Sequence, residues 1–198
     1  PLQLSALAED NSESFRYRKA TGNGHYDITH QFLLDNQIVN GKAGYFVLTP
    51  FMLEDGKKAV LVNRGWIAAN PDRHILPDVR IKNLPTIING RINHFPSVGI
   101  KLAGAEIPTQ TSPALVQVVD TEILAKKLGY PLVTFQLELD ANMAEGYTRQ
   151  WLTTTLMPPQ QHFGYAMQWF GLAVALTFLF FWYSSKNTHD DKSTTTKS

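Results

Sequence analysis

The chain contains no cysteine. That absence removes several chemistries together. A thiolate copper chaperone, an iron–sulfur protein and a covalent c-type haem attachment all need cysteine side chains. It leaves the redox compartment open, because a protein outside the cytosol need not hold disulfides. An excess of one charge sign is also missing. The 198 residues carry a formal net charge of +1, with no basic run that would mark a nucleic-acid footprint, so nucleic acid is a poor candidate partner. No Walker loop, GxGxxG, HExxH or GxSxG motif occurs, and there is no internal repeat. A membrane-anchored hydrolase therefore has no nucleophile–base spacing to rest on.

One long apolar segment is present. Phe163–Tyr183 is 21 residues without a charge. As an α-helix it would be about 31 Å long, close to the hydrocarbon thickness of a bilayer. Tyr165 and Trp169 stand near one end and Trp182 and Tyr183 at the other, as an interfacial aromatic belt requires. A buried core helix of this length would need protein on every side, and the remaining chain is too small to surround it. The Pro158–Pro159 pair breaks structure just before it. Lys186, Lys192 and Lys197 follow the segment, whereas the nearest basic residue before it is Arg149. The positive-inside bias predicts a cytoplasmic tail, 184–198, polar and disordered, with residues 1–160 on the outer side. A C-terminal anchor cannot export what precedes it. An N-terminal signal or a first transmembrane helix is therefore expected upstream of Pro1.

Residues 1–160 suffice for one domain with a core. They read mainly as strands. Short extended pieces are expected at 25–29 and 31–34. Asn40–Gly41 is a two-residue hairpin turn before the run Gly44–Phe51, and 54–57 is a further turn. The continuous apolar run 59–62 predicts a strand buried on both faces. Strands are also expected at 86–93, 115–119 and 150–156. In 132–140 Val133, Phe135, Leu137 and Leu139 alternate with Thr134, Gln136 and Glu138, the pattern of a half-buried strand. One helix is expected over 121–128, capped by Asp120 and ended by Gly129 and Pro131. The fold class is mainly β: an antiparallel barrel or sandwich with a short helix packed on it, followed by one transmembrane helix.

Candidate functional residues are few. His25, Asp27 and His30 lie close in sequence, but on a strand His30 falls on the face opposite the other two, so a metal site would need a turn between them. Arg64 and Gly65 interrupt an apolar strand just before Trp66. A bulge at Gly65 with Trp66 capping the core accounts for this. The functional alternative is an interaction corner formed by Arg64, Gly65 and Trp66, with Arg64 meeting a lipid phosphate or ligand carboxylate. His162 opens the apolar segment. Tyr165, Ala166, Trp169 and Ala173 follow it on one helical stripe. A second stripe of Gly164, Gln168, Gly171 and Ala175 has the small-residue spacing of a helix–helix contact, assigned to the missing first helix. At the membrane–water interface, where His162 stands at the mouth of the segment, a histidine is at home without any ligand.

The stretches "GHYDITHQFLLDNQIVNGKAGYFVLTPF", "VNRGWI" and "HFGYAMQW", in that order and followed by an apolar terminal segment, resemble the Surfeit locus protein 1 family of cytochrome c oxidase assembly factors. The resemblance runs from Tyr17 to Tyr183. It implies two transmembrane helices flanking an extramembrane domain, a non-enzymatic role in maturing oxidase subunit I, and haem a as non-covalent cargo. It also implies the bacterial inner membrane with the domain in the periplasm, or the mitochondrial inner membrane, and haem a synthase as a further partner. The family's candidate haem-iron ligand is the histidine opening the second span. Here that is His162, with Tyr165 and Trp169 below it as candidate haem-covering side chains.

Overall fold

The computed structural model describes residues 1–7, 13–96, 104–151 and 159–190, without the side chains of 159–162 and 185–190. The chain forms two units, Pro1–Trp151 and Leu152–Ser198.

The first unit is a closed β-barrel. Its elements are β1 (Leu2–Gln3), β2 (Lys19–Tyr26), β3 (Phe32–Val39), β4 (Lys42–Leu53), β5 (Ala59–Ala68), β6 (Ile87–Asn93), β7 (Ala114–Val116), α1 (Thr121–Leu128) and β8 (Leu132–Leu139). The sheet order is β1-β2-β6-β8-β5-β4-β3-β7, and an extra β2–β4 pairing closes five strands on themselves. Closure removes the open edges of those five strands. The expected barrel-or-sandwich alternative is thus settled as a barrel. It is not wholly antiparallel. β5 and β8 run parallel, because the chain between them passes through β6, β7 and α1 before returning.

Alternation along β5 explains the continuous apolar run at 59–62. Val60 and Val62 face the barrel interior with Phe51, Phe135, Leu137, Ile88 and Ile92. Ala59 and Leu61 face outward under α1, against Leu124 and Leu128. Both faces are covered, as the run requires. Inside the barrel the Tyr26 and Phe51 rings meet edge to face with centroids 5.0 Å apart. The helix keeps its expected limits. The Asp120 carboxylate accepts from the Glu122 and Ile123 N–H groups, and Gly129 turns left-handed at φ 81°.

Strand β8 departs from expectation. Its polar face is not solvated: Gln136 and Glu138 are as buried as the apolar residues between them, and only Thr134 is exposed. Gln136 accepts from the Asn63 amide at 2.9 Å and donates to the His94 carbonyl at 2.7 Å. Glu138 accepts from Arg91 and Asn93, each at 2.8 Å. Each buried polar group has a partner from a neighbouring strand or the segment just after it, which offsets its desolvation. Strand β2 begins at Lys19, well before the expected 25–29. Residues 152–156 of the expected strand 150–156 lie outside the described residues.

In the second unit, α2 spans Pro159–Asp190. Proline is tolerated in a first helical turn, so Pro159 opens the helix. Phe163–Ser184, with mean hydropathy 1.5, is long and apolar enough to cross a membrane, and none of it is buried. The Thr177 hydroxyl donates to the Ala173 carbonyl at 2.8 Å, so it needs no partner outside the helix. The helix runs on through 184–190, which were expected to be disordered tail. No glycine or proline interrupts that stretch, and extending a helix costs less than starting one.

The bulge at Gly65 gives a direct test. Phe46 pairs with Trp66 and Leu48 with Asn63, so two residues of β5 oppose Val47 alone. Gly65 has φ 112°, and a Cβ there would lie 2.7 Å from the Thr148 carbonyl oxygen. Gly65→Ala is expected to destabilise the domain by roughly 1–3 kcal/mol, read as a lowered denaturation midpoint of the detergent-solubilised chain.

Candidate functional site

Three groups of chemistry-bearing residues stand out: the Arg64 junction, the Asp27 cluster and one face of α2. The geometry of the first two differs from what their sequence spacing suggests.

Arg64 follows Val60 and Val62 on the interior face of β5, so the strand's alternation turns it inward. Its side chain is 1% exposed. The guanidinium donates to the Glu145 carbonyl at 2.7 Å and the Val79 carbonyl at 2.8 Å. It also reaches Gln31 and Thr49, each at 3.4 Å, and lies over the Tyr147 ring at 5.2 Å. The Glu145 carboxylate is 3.7 Å away. That carboxylate in turn accepts from the backbone N–H groups of Lys82 and Asn83. Burial lowers the Arg64 pKa, opposed by attraction to Tyr147, Tyr26 and Glu145. Burial raises that of Glu145, but hydrogen bonds from Lys82 and Asn83 and the charge of Arg64 bring it below the usual value.

This corrects the interaction-corner reading. A lipid phosphate or ligand carboxylate has no access to a guanidinium enclosed by the protein's own carbonyls. Gly65 is the bulge. Trp66 donates its indole N–H to the Gln37 carbonyl at 2.9 Å and bridges Thr148 through the backbone. The residues Arg64, Gly65 and Trp66 therefore fasten the loop at 76–83 and the segment 145–148 to the barrel. The signal in the sequence was a charge at an inward position of an apolar strand; its partners are 15 to 81 residues away and could not be read from spacing.

The Asp27 cluster is built by a turn. Asp27 Oδ1 accepts from the Thr29 N–H, which reverses the chain and brings His30 Nδ1 to 2.7 Å from Oδ2. Tyr130, just after α1, donates its hydroxyl to the same Oδ2 at 2.7 Å. His25 stays on β2 opposite Met52 and does not join them. Among the described residues no group of three histidine or acidic side chains has a metal-binding arrangement. Burial alone would raise the Asp27 pKa, but the bonds from Thr29, Tyr130 and His30 outweigh it and hold the carboxyl at about 2.

On α2, positions 162, 165 and 169 fall on one face of a continuous helix, and Tyr165 and Trp169 are 54% and 69% exposed. Gly171 and Ala175 lie on another face, where a Cβ on Gly171 would meet nothing within 4 Å. The side chain of His162 lies outside the described residues.

The Asp27 cluster predicts a pH dependence. An unfolded aspartate titrates near about 3.9. A folded value of about 2 means that its contribution is present above about pH 4 and is lost as pH falls through 2. Asp27→Asn should flatten that part of the stability–pH curve. At pH 7 it should cost roughly 1.5–3 kcal/mol, the scale of hydrogen bonds to a charged group. Denaturation midpoints from pH 7 to pH 2 measure both effects.

Comparison of the sequence with known proteins points to one family. The SURF1 family model matches residues 1–174, the whole barrel and the first part of α2. The cytochrome oxidase assembly protein SHY1 of Saccharomyces cerevisiae is 35% identical over 81 residues, 40% of this chain and 20% of the yeast protein. The matched segment thus spans about one fifth of that relative's length. A SURF1-like protein of Mycobacterium bovis is 27% identical over 188 residues, 93% of this chain and 67% of the relative. A SURF1-like protein of Dictyostelium discoideum is 32% identical over 73 residues, 37% of this chain and 27% of the relative. With a family match across the barrel and into the apolar helix, the chain belongs to the SURF1 family.

Proposed function

We propose that this protein is a non-enzymatic assembly factor for cytochrome c oxidase that carries haem a on the His162 face of α2 and assists its insertion into, or retention by, subunit I. The single observation that carries the reading is the family match running from the barrel into an exposed apolar helix. The named role of the yeast relative supports oxidase assembly. Haem a would supply an iron centre that takes neutral imidazole as a ligand. His162 is the donor. Tyr165 and Trp169, one and two turns further along the same face, cover the macrocycle and exclude lipid from it. Gly171 and Ala175 keep another face of the helix low enough for close packing against a second helix. The apolar helix anchors the chain in the bacterial inner membrane with the barrel on the outer side, and subunit I and haem a synthase are the partners.

His162→Ala should lower haem a per protein several-fold and shift the Soret band, with membrane retention unchanged, because insertion rests on Phe163–Ser184. Trp169→Leu should have a smaller effect, since it removes ring packing but keeps an apolar side chain. The comparison is haem content at equal expression in cells that make haem a. Equal haem in wild type and His162→Ala would leave a scaffold that stabilises an assembly intermediate without haem. Orientation is tested separately by reporters placed after Ser198 and within the Glu54–Lys57 turn. The expected result is a periplasm-dependent reporter active at the turn and silent at Ser198; the reverse pattern overturns the assignment.

A further inference from the structure

The oxidase-assembly reading leaves one charged surface unused. Arg16, Tyr17, Arg18 and Lys19 are consecutive and exposed. A turn closed by the Arg18 N–H to the Phe15 carbonyl at 3.0 Å places them over β6. Backbone bonds hold the turn there: Tyr17 donates to the Ile92 carbonyl at 2.8 Å and Ile92 donates to the Arg18 carbonyl at 3.0 Å. Tyr17 has φ 64°, an unfavourable conformation for a residue with a Cβ. The surrounding contacts fix it with its ring against two guanidinium groups, Arg16 at 4.9 Å and Arg91 at 5.3 Å. Arg18 lies over Phe15 at 6.0 Å.

The charges are not all spent internally. Arg91 pairs with buried Glu138, and Lys19 lies 3.5 Å from Asp140. Arg16 donates to the Asn93 carbonyl oxygen of its side chain at 3.2 Å, a neutral partner. Among the described residues neither Arg16 nor Arg18 has a carboxylate within ion-pair distance. Glu13, mostly exposed, is directed to His94 at 3.1 Å. Half-exposed tyrosine beside basic side chains is the composition of a membrane–water interface.

The patch also borders the segment by which the chain leaves the barrel. Asp140, which meets Lys19, offers its carbonyl to Arg149 at 2.6 Å, and Trp151 donates to the neighbouring Leu139 carbonyl at 2.9 Å. From Trp151 to Pro159, where α2 begins, the chain can extend at most about 29 Å.

We propose that Arg16, Tyr17, Arg18 and Lys19 form a docking surface for the anionic phospholipid headgroups of the membrane that carries the protein. Phosphate groups take the guanidinium N–H donors of Arg16 and Arg18, and the Tyr17 ring lies at the level of the headgroups. The inference rests on Phe163–Ser184 being a membrane span.

The cysteine-free chain allows one label. An environment-sensitive dye on Ser14→Cys is read in the full chain reconstituted in lipid discs, either of phosphatidylcholine alone or with one third phosphatidylglycerol. The expected result is a blue shift of emission in the phosphatidylglycerol discs that 0.5 M salt reverses. Arg16→Gln and Arg18→Gln should each lower the docked-to-undocked ratio about five-fold, the scale of one basic residue at an anionic surface. Far-UV circular dichroism of each variant checks the fold. Identical emission in the two lipids overturns the proposal, as does a shift that persists in the Arg16→Gln/Arg18→Gln double variant. A chain that fails to remain in either disc overturns the span itself, a different outcome from a retained chain without lipid response.

Discussion

A buried guanidinium organises one end of this barrel. Arg64 belongs by alternation to the interior face of β5, where the residues before it are Val60 and Val62. An unpartnered charge there would be far too costly. The cost is met by bringing chain to it: the Val79 carbonyl from one long connection, the Glu145 carbonyl and carboxylate from another, and Gln31 and Thr49 from the barrel wall. Two segments with little regular structure are thereby given fixed positions. The Gly65 bulge and the Trp66 bridge to Thr148 continue the same fastening. Buried pairs of this kind add little net stability compared with an apolar core, but they define one arrangement among many.

The outer face of β8 shows the same logic with a different cast. Gln136 and Glu138 are covered rather than solvated, and each finds partners supplied by β5, β6 or the residues just after β6. The barrel is consequently held by an apolar interior and a polar exterior network on one side, with α1 covering apolar residues on another. A mixed barrel with a parallel β5–β8 pair needs the helix-bearing crossover to return the chain, and α1 serves both as connection and as cover.

The apolar helix follows other rules. Its backbone bonds are satisfied within the segment, its one central hydroxyl donates to its own backbone, and its side chains are exposed all round. Chemistry on such a helix is a matter of which residues share a face. That is why the shared face of positions 162, 165 and 169 was legible from a 3.6-residue period, while their haem-carrying role rests on the family resemblance, and the partners of Arg64 and Asp27 were not legible from spacing.

Features that depend on near neighbours were legible in the amino-acid order. The α1 limits followed from Asp120 and Gly129, the hairpin from Asn40–Gly41, the doubly buried strand from the run at 59–62, and the apolar helix from the length and apolarity of 163–183. These are local signals, set by caps, turns and hydrophobic period. Features that depend on residues far apart emerged only in the folded chain. Closure of the barrel required β2 to meet β4 as well as β6. The burial of Gln136 and Glu138 depended on Asn63, Arg91 and Asn93 arriving beside them. The fate of Arg64, beside an expected bulge and with an interaction corner as the alternative, depended on Val79 and Glu145, which make it an internal fastener. The physical reason is common to all three. A polar side chain on a strand can face solvent or a partner at equal sequence cost, and the choice belongs to the strand or loop that packs against it.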